Sequence, residues 1–322
     1  MLASIAPSKL LAQSLFFSFA LLAGWVSYRI GANNFLYFSR FFYGVLVFLL
    51  LLTIVIGRET RGSSRWLEIA GIRGQMSEFA KPILVLSGVS LLKRPRSMLF
   101  FIFAMIFPIS LVFLEPDLGT AIVLFFIAAT LLFFAGISRW ALAAVLLMGV
   151  AMIPLSKYIL ADYQQRRVES FLNPYSDPRG AGYHAIQSTI AVGSGQLFGR
   201  GLGHGTQSRL RFLPERQTDF IFASLVEELG LVGGVLTLFL YGMMLAGLLM
   251  GALQARDRPD FLILVGCAGW LFFQSSITIA MNLGFAPVTG ITLPFLSAGG
   301  SSLIASSILL ALAVSALNFT HE

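Results

Sequence analysis

Charge is what this sequence holds least of. Asp, Glu, Lys and Arg make up 11% of its 322 residues, against about 25% in soluble domains, which excludes a water-exposed globular fold. Cysteine occurs once: Cys267 sits in an apolar run, rules out an intrachain disulfide and reads as a small buried hydrophobe. The 3 histidines show no zinc-ligand spacing. Phosphate-binding glycine loops of the Walker type and nucleic-acid motifs are absent, so no nucleic-acid partner is expected. No cofactor is evident; a divalent cation beside a phosphate group stays open, without a ligand cluster to hold it. Low-complexity tracts and internal repeats are missing as well.

Apolar sequence is abundant. Hydrophobic residues reach 57% and the mean hydropathy is +0.84. A span needs roughly 20 apolar residues to cross about 30 Å of hydrocarbon. The runs here are continuous rather than alternating, which favours helices over a barrel. The sequence predicts an all-α fold, a polytopic transmembrane helix bundle with spans near 10–30, 39–57, 76–92, 97–114, 119–136, 140–160, 229–253, 260–282 and 300–318. Residues 1–322 read as one membrane domain. Within it, 161–218 forms a long extracytoplasmic loop carrying short interfacial helices.

Basic residues set the orientation. Alternate short junctions hold Arg29 and Arg40, then Lys93, Arg94 and Arg96, then Arg139, then Arg256 and Arg258. The intervening junctions, at Glu115-Pro-Asp-Leu and 283–299, hold no Lys or Arg. Positive residues favour the cytoplasmic side, which puts the first set inside and 161–218 outside. The 58–75 loop conflicts, because it lies outside yet carries Arg58, Arg61, Arg65 and Arg73. Longer polar loops weigh less in that rule.

The segment from Arg200 to Phe220 is the most informative. It gathers Arg200, Arg209, Arg211 and Arg216 beside Asp219, just ahead of an apolar run. Cations around one carboxylate at a membrane boundary suit an anionic, lipid-linked substrate.

Several motifs, in order, carry a resemblance. They are Gly62-Ser-Ser-Arg-Trp66, Ser77-Glu-Phe-Ala-Lys-Pro82, Glu115-Pro-Asp-Leu-Gly-Thr120 and Asn173-Pro-Tyr-Ser-Asp-Pro178. Then come Gly180-Ala-Gly-Tyr-His184, Gly203-His-Gly-Thr-Gln-Ser208, Phe212-Leu-Pro-Glu-Arg-Gln-Thr-Asp-Phe-Ile-Phe-Ala223, Glu227-Glu-Leu-Gly230 and Leu293-Pro-Phe-Leu-Ser-Ala-Gly-Gly-Ser301. The chain resembles the SEDS family (shape, elongation, division and sporulation), and its rod-shape members more than its division members. The resemblance implies ten helices, of which the first is missing here. It also implies a peptidoglycan glycosyltransferase that uses lipid II at the outer face of the bacterial cytoplasmic membrane. The implied partners are a class B penicillin-binding protein as transpeptidase and other membrane proteins of the elongation complex. Met76 and Ala298 depart from the family's usual Pro and aromatic residue.

The resemblance makes Asp219 the general base that takes a proton from an acceptor sugar hydroxyl. Its pattern alone fits a first-turn or capping acid equally well. Arg200, Arg209 and Arg216, with Arg166 and Arg167 upstream, are candidate clamps for a leaving pyrophosphate, or attractors of anionic headgroups; Arg211 ranks lowest. Gln75, Glu78 and Lys81 share roughly one helix face. Glu78 and Lys81 read as an ion pair, or as a site in which Lys81 meets the pyrophosphate. Glu115 is a second site carboxylate, a cation ligand or a structural acid, and Asp117 a helix-dipole acid. Glu227 and Glu228 stand in an apolar run, where one is expected to pair with a base. Arg65 and Trp66 bind and stack on sugar or phosphate, or Trp66 anchors at the interface. His184 is read as a hydrogen-bonding residue, and Ser297–Ser301 as a packing motif of small residues. Two rival functions are a flippase for lipid-linked precursors and a scaffold that only docks a transpeptidase.

Overall fold

The computed structural model describes residues 9–60, 63–69, 72–93, 98–136, 162–180, 182–210 and 212–318. The helix expected at 140–160 lies outside the described residues, as do Arg61, Arg94, Arg96, Arg139 and Arg211. The chain divides into two compact units. A bundle unit comprises 17–158, 245–271 and 300–322; a loop unit comprises 1–16, 159–244 and 272–299.

The helices in chain order are α1 (Leu10–Ile30), α2 (Ala32–Tyr37), α3 (Ser39–Ile56), α4 (Met76–Leu92), α5 (Met98–Leu114) and α6 (Leu118–Phe134). They continue with α7 (Asp162–Leu172), α8 (Tyr183–Ser194), α9 (Thr206–Arg209), α10 (Ile221–Gln254), α11 (Arg258–Asn282) and α12 (Gly300–Asn318). Among the described residues, α1, α3, α10, α11 and α12 are long and apolar enough to cross a membrane. α5 and α6 are shorter apolar helices.

The bundle unit is organised around α4, which touches α2, α3, α5, α6 and α12. Most of its side chains are buried, including Glu78, Lys81 and Pro82. Small residues let its neighbours close in. A methyl group at Gly88 would stand 2.7 Å from Leu131 Cδ1, and one at Gly269 2.6 Å from Thr130 Oγ1. Such contacts matter in lipid, where no hydrophobic force drives helices together.

Contacts inside this unit also define its two ends. Gln75 N donates to Ser301 Oγ and Gln75 Nε2 to Asp117 Oδ2, so the starts of α4, α6 and α12 share one end. Ser87, near the close of α4, lies against Ser39 at the start of α3. Arg258 donates to Ala135 O at the close of α6. Arg40, Lys93 and Arg258 therefore sit at the opposite, basic end, the one the positive-inside rule assigns to the cytoplasm.

One feature of the bundle unit departs from an all-α reading. The 58–75 segment forms a three-stranded antiparallel sheet of β1 (Arg58–Thr60), β2 (Ser63–Ile69) and β3 (Ile72–Gly74). Arg58 faces Trp66, and Glu68 faces Arg73 with an ion pair of 3.2 Å. Alternation places Leu67 on the buried side. An opposite-charge pair directly across two strands supports the register.

The loop unit packs α8, the first turns of α10 and the end of α11. Ile221, Phe222, Leu225, Val226, Ile279 and Leu293 form one buried cluster; Ala191, Leu213, Phe220 and Ala223 form another. Its defining feature is a break in α10. Gly230 takes φ 72° and ψ −169°, which only glycine adopts without strain. A methyl there would also stand 2.3 Å from Gly199 N. The 195–201 turn crosses at this point and completes the interrupted hydrogen bonding. Arg200 N and Gly201 N donate to the carbonyls of Glu227 and Glu228, while Leu231 N and Val232 N donate to those of Gln196 and Leu197. An apolar environment tolerates a broken helix only when protein groups take over its freed backbone positions.

Candidate active site

Asp219 lies in a turn two residues before α10, partly exposed, so it stands just outside the helix rather than within its first turn. Its backbone is fixed from several directions. Asn282, fully buried, donates from Nδ2 to Asp219 O at 2.9 Å and accepts Ala223 N on Oδ1 at 2.9 Å. One side-chain amide thus ties the residue before the helix to its first turn. Ser297 Oγ donates to Thr218 O at 2.6 Å and accepts Leu293 N at 2.8 Å. Ala298 N donates to Gln217 O. The neighbouring Phe220 ring stacks on His184, with centroids 6.0 Å apart and planes 3° from parallel. The result is a carboxylate on a rigid backbone at a helix N-terminus, where a negative charge is favoured.

The sequence reading did not identify Asn282, and Ser297 entered only as part of a packing motif. Both act across large sequence separations on main-chain atoms, which leaves no local pattern to read. Polar residues within apolar runs were the available signal.

Acidic residues also fix the arginine-bearing loop. Glu227, fully buried, accepts Gln207 N at 2.7 Å and Ser208 N at 2.9 Å, and Thr206 Oγ1 at 3.4 Å. Glu228 accepts Gly203 N at 3.0 Å. Glu227 thus takes the backbone amides at the start of α9, a capping role. Arg200 is exposed and donates from Nε to Ser194 O at 3.1 Å; Arg209 is exposed at the end of α9. These two arginines hang from a loop tied to the Glu227 end of the short helical segment, while Arg216 and Asp219 precede its other end. Eight residues at about 1.5 Å each put the two ends about 12 Å apart. Arg216, partly buried, is the nearest of the three to Asp219 along the chain. Arg166 is exposed and Arg167 partly so, both on α7.

The bundle unit holds its own polar cluster. Lys81 Nζ donates to Glu78 Oε2 at 2.7 Å, and both side chains are almost fully buried. Asp117 accepts Gln75 Nε2 at 2.8 Å and Ser77 Oγ at 3.0 Å on Oδ2, and caps α6 by accepting Thr120 N at 3.3 Å. Glu115 differs. It is 0% exposed, and both of its carboxyl oxygens lack a hydrogen-bond partner among the described residues. Burial, with the Asp117 charge added, pushes its carboxyl up to about 8. It occupies the turn between α5 and α6, outside both helices. Trp66 is partly buried on β2; Arg65 precedes it on that strand, its side chain outside the described residues.

Long apolar helices, a broken helix with satisfied ends and a buried ion pair define a multi-pass membrane protein. Comparison with known proteins makes the class specific. The family model described as "Cell cycle protein" (FtsW/RodA/SpoVE) matches residues 6–322. The chain is 41% identical over 276 residues to "Peptidoglycan glycosyltransferase MrdB" of Escherichia coli K12, covering 83% of this chain and 74% of that protein. It is 37% identical over 303 residues to "Probable peptidoglycan glycosyltransferase FtsW" of Coxiella burnetii, covering 90% and 81%. Among solved structures, it aligns with a chain of a peptidoglycan synthase complex that coordinates polymerization and crosslinking. The TM-score there is 0.84 at 33% identity, over 100% of this chain and 93% of that one. The rod shape determining protein RodA of Thermus thermophilus aligns with a TM-score of 0.74 at 28% identity, over 100% and 92%. The chain belongs to the FtsW/RodA/SpoVE family.

Proposed function

We propose that this chain is a peptidoglycan glycosyltransferase that polymerises lipid II into β-1,4-linked glycan at the outer face of the cytoplasmic membrane, during cell elongation. The observation that carries the reading is Asp219, a partly exposed carboxylate on a backbone clamped by Asn282 and Ser297. The names of the matching relatives support the reaction class.

In the reaction, an Asp219 oxygen accepts the proton of the acceptor sugar's 4-hydroxyl. The oxygen so activated forms a bond to the anomeric carbon of the donor, on the face opposite the pyrophosphate. The bond from that carbon to the pyrophosphate oxygen breaks, and its electron pair leaves with the polyprenyl pyrophosphate. One displacement converts the α-linked donor into a β-linkage. Arg216, with Arg200 and Arg209 further along, would compensate the charge that develops on the leaving group. Glu227 acts through the loop that presents Arg200 and Arg209. Glu78 and Lys81, buried and paired at 2.7 Å, would hold the outer end of α4 in place. On this reading 161–218 is extracytoplasmic and the chain works as one membrane domain. A class B penicillin-binding protein would be its transpeptidase partner, which the synthase-complex match supports.

A flippase is the second reading, and the break at Gly230 is the observation in its favour, since transporters place substrate sites at interrupted helices. Here the backbone groups nearest the break, at 227–228 and 231–232, bond to the 195–201 turn instead of lining a free site. Purified protein with its transpeptidase partner and labelled lipid II in detergent separates the two. Glycan polymer is expected, because no bilayer is present to be crossed. Turnover confined to transbilayer movement in liposomes, with none in detergent, would refute the enzyme.

A further inference from the structure

A cleft of about 430 Å³ opens in the bundle unit at its basic end, lined by parts of α3, α4 and α5. Ser39, Arg40 and Tyr43 come from α3, Ser87 and Ser90 from α4, and Phe100 from α5. The volume falls within the range of about 300–1,000 Å³ usual for small-ligand sites. No residue of the proposed glycosyltransferase site lies in it.

The chemistry of the lining is two-sided. Ser39 is 1% exposed, yet its hydroxyl has no hydrogen-bond partner among the described residues, a state that buried polar groups rarely keep unless a ligand or water completes them. Tyr43 donates its hydroxyl to Ala104 O at 2.8 Å and Ser87 its own to Ser39 O at 3.5 Å. Arg40 is exposed at the mouth, and makes no ion pair among the described residues. The first turn of α3 holds no acid. Phe100, at the other edge, is 63% exposed and begins the stripe Phe100, Phe103, Ile106 and Phe107 on the outer face of α5. One rim of the cleft thus offers a guanidinium and unsatisfied hydroxyl chemistry, and the other runs onto a lipid-facing apolar surface.

We propose that this cleft binds an anionic glycerophospholipid, with its phosphate on Arg40 and Ser39 and an acyl chain along Phe100 and the α5 stripe. Charge complementarity selects the headgroup: Arg40 makes no ion pair among the described residues, whereas Lys93 at this end lies beside Asp260, and basic residues at a membrane surface favour anionic lipids. The apolar rim selects a lipid over free phosphate. The site faces the leaflet at the basic end of the bundle unit.

The test is native mass spectrometry of the full chain in detergent, titrated with dioleoylphosphatidylglycerol, with dioleoylphosphatidylcholine and with soluble glycerol 1-phosphate. Phosphatidylglycerol is expected to form a saturable single adduct that phosphatidylcholine does not match. Arg40→Gln, at an exposed position that folding tolerates, should weaken that adduct about fivefold, the worth of one basic residue near anionic lipid. Ser90→Leu, which narrows the cleft, should weaken both lipid adducts alike. Glycerol 1-phosphate competing as well as the whole lipid would overturn the proposal. So would an unchanged phosphatidylglycerol adduct in Arg40→Gln, or in a Ser90→Leu protein that melts like the parent.

Discussion

Asp219 in the loop unit is partly exposed and its main chain is held by Asn282 and Ser297, whereas Glu78 and Glu115 in the bundle unit are 4% and 0% exposed. Asp219 and Glu78 are held in opposite ways, while Glu227 in the loop unit is buried as Glu78 is. Around Asp219 the protein fixes the backbone and keeps the residue partly exposed. Around Glu78 it fixes the side chain itself, through Lys81 at 2.7 Å, and removes both from solvent. A group that must receive a proton from a substrate needs the first arrangement. A group that holds helices together in lipid needs the second. The comparison assigns chemistry to the loop unit and architecture to much of the bundle unit's charge.

The comparison is broken most severely by removing one member of the buried pair. Lys81→Met strands Glu78 without its cation and should cost about 3–5 kcal/mol, read as a large fall in thermal melting temperature. The double change Glu78→Gln with Lys81→Met should recover most of that loss. If Lys81→Met melts like the parent, the pair is not structural.

A smaller effect is expected from the clamp. Asn282→Ala leaves Ala223 N–H and Asp219 C=O without their side-chain partner, at about 1–3 kcal/mol. Because it loosens the backbone that carries Asp219, it should lower kcat more than it raises KM. Asn282→Asp keeps the acceptor for Ala223 and should restore part of the stability. A KM effect alone would place Asn282 in substrate binding instead.

Glu115 gives the smallest and most specific effect. Its carboxyl is pushed up to about 8 by burial and by Asp117, above the ordinary glutamate value of about 4.3. The folded chain therefore holds a proton that the unfolded chain releases between these values. Stability from this residue is present in full below about pH 4 and declines as the pH rises through 8. Glu115→Gln should melt with less dependence on pH over that window and be the more stable protein at pH 8.5. Parallel melting profiles for the two proteins would contradict the burial of an ionisable Glu115.

Much of the helical framework is legible in the sequence, because continuous apolar runs such as 10–30 and 300–318 leave few other structures in lipid. The end of α4 at Leu92 and the turn at Glu115-Pro-Asp were legible for the same reason, since charge and proline interrupt the runs there. The short sheet was not. Arg65-Trp-Leu-Glu-Ile69 alternates over few residues, and cross-strand partners such as Arg73 have no local mark. The start of α10 was placed at 229, although Ile221 begins it and Gly230 interrupts it; an apolar run does not reveal which glycine takes a left-handed φ. Asp219 and its arginines stood out by charge alone. The tie of the arginine-bearing loop to Glu227, and the grip of Asn282 and Ser297, come from contacts between distant residues that composition does not encode.

The most direct test compares Asp219→Asn with the parent protein, using one preparation of each for two readings: glycan polymer formed from lipid II, and affinity for lipid II. Loss of a positioned general base costs about 10²–10⁴ in rate. Polymer formation should therefore fall by at least about a hundredfold while lipid II binding and the melting temperature stay close to the parent's. Polymer made at a near-normal rate by Asp219→Asn would contradict the assignment of this carboxylate as the base.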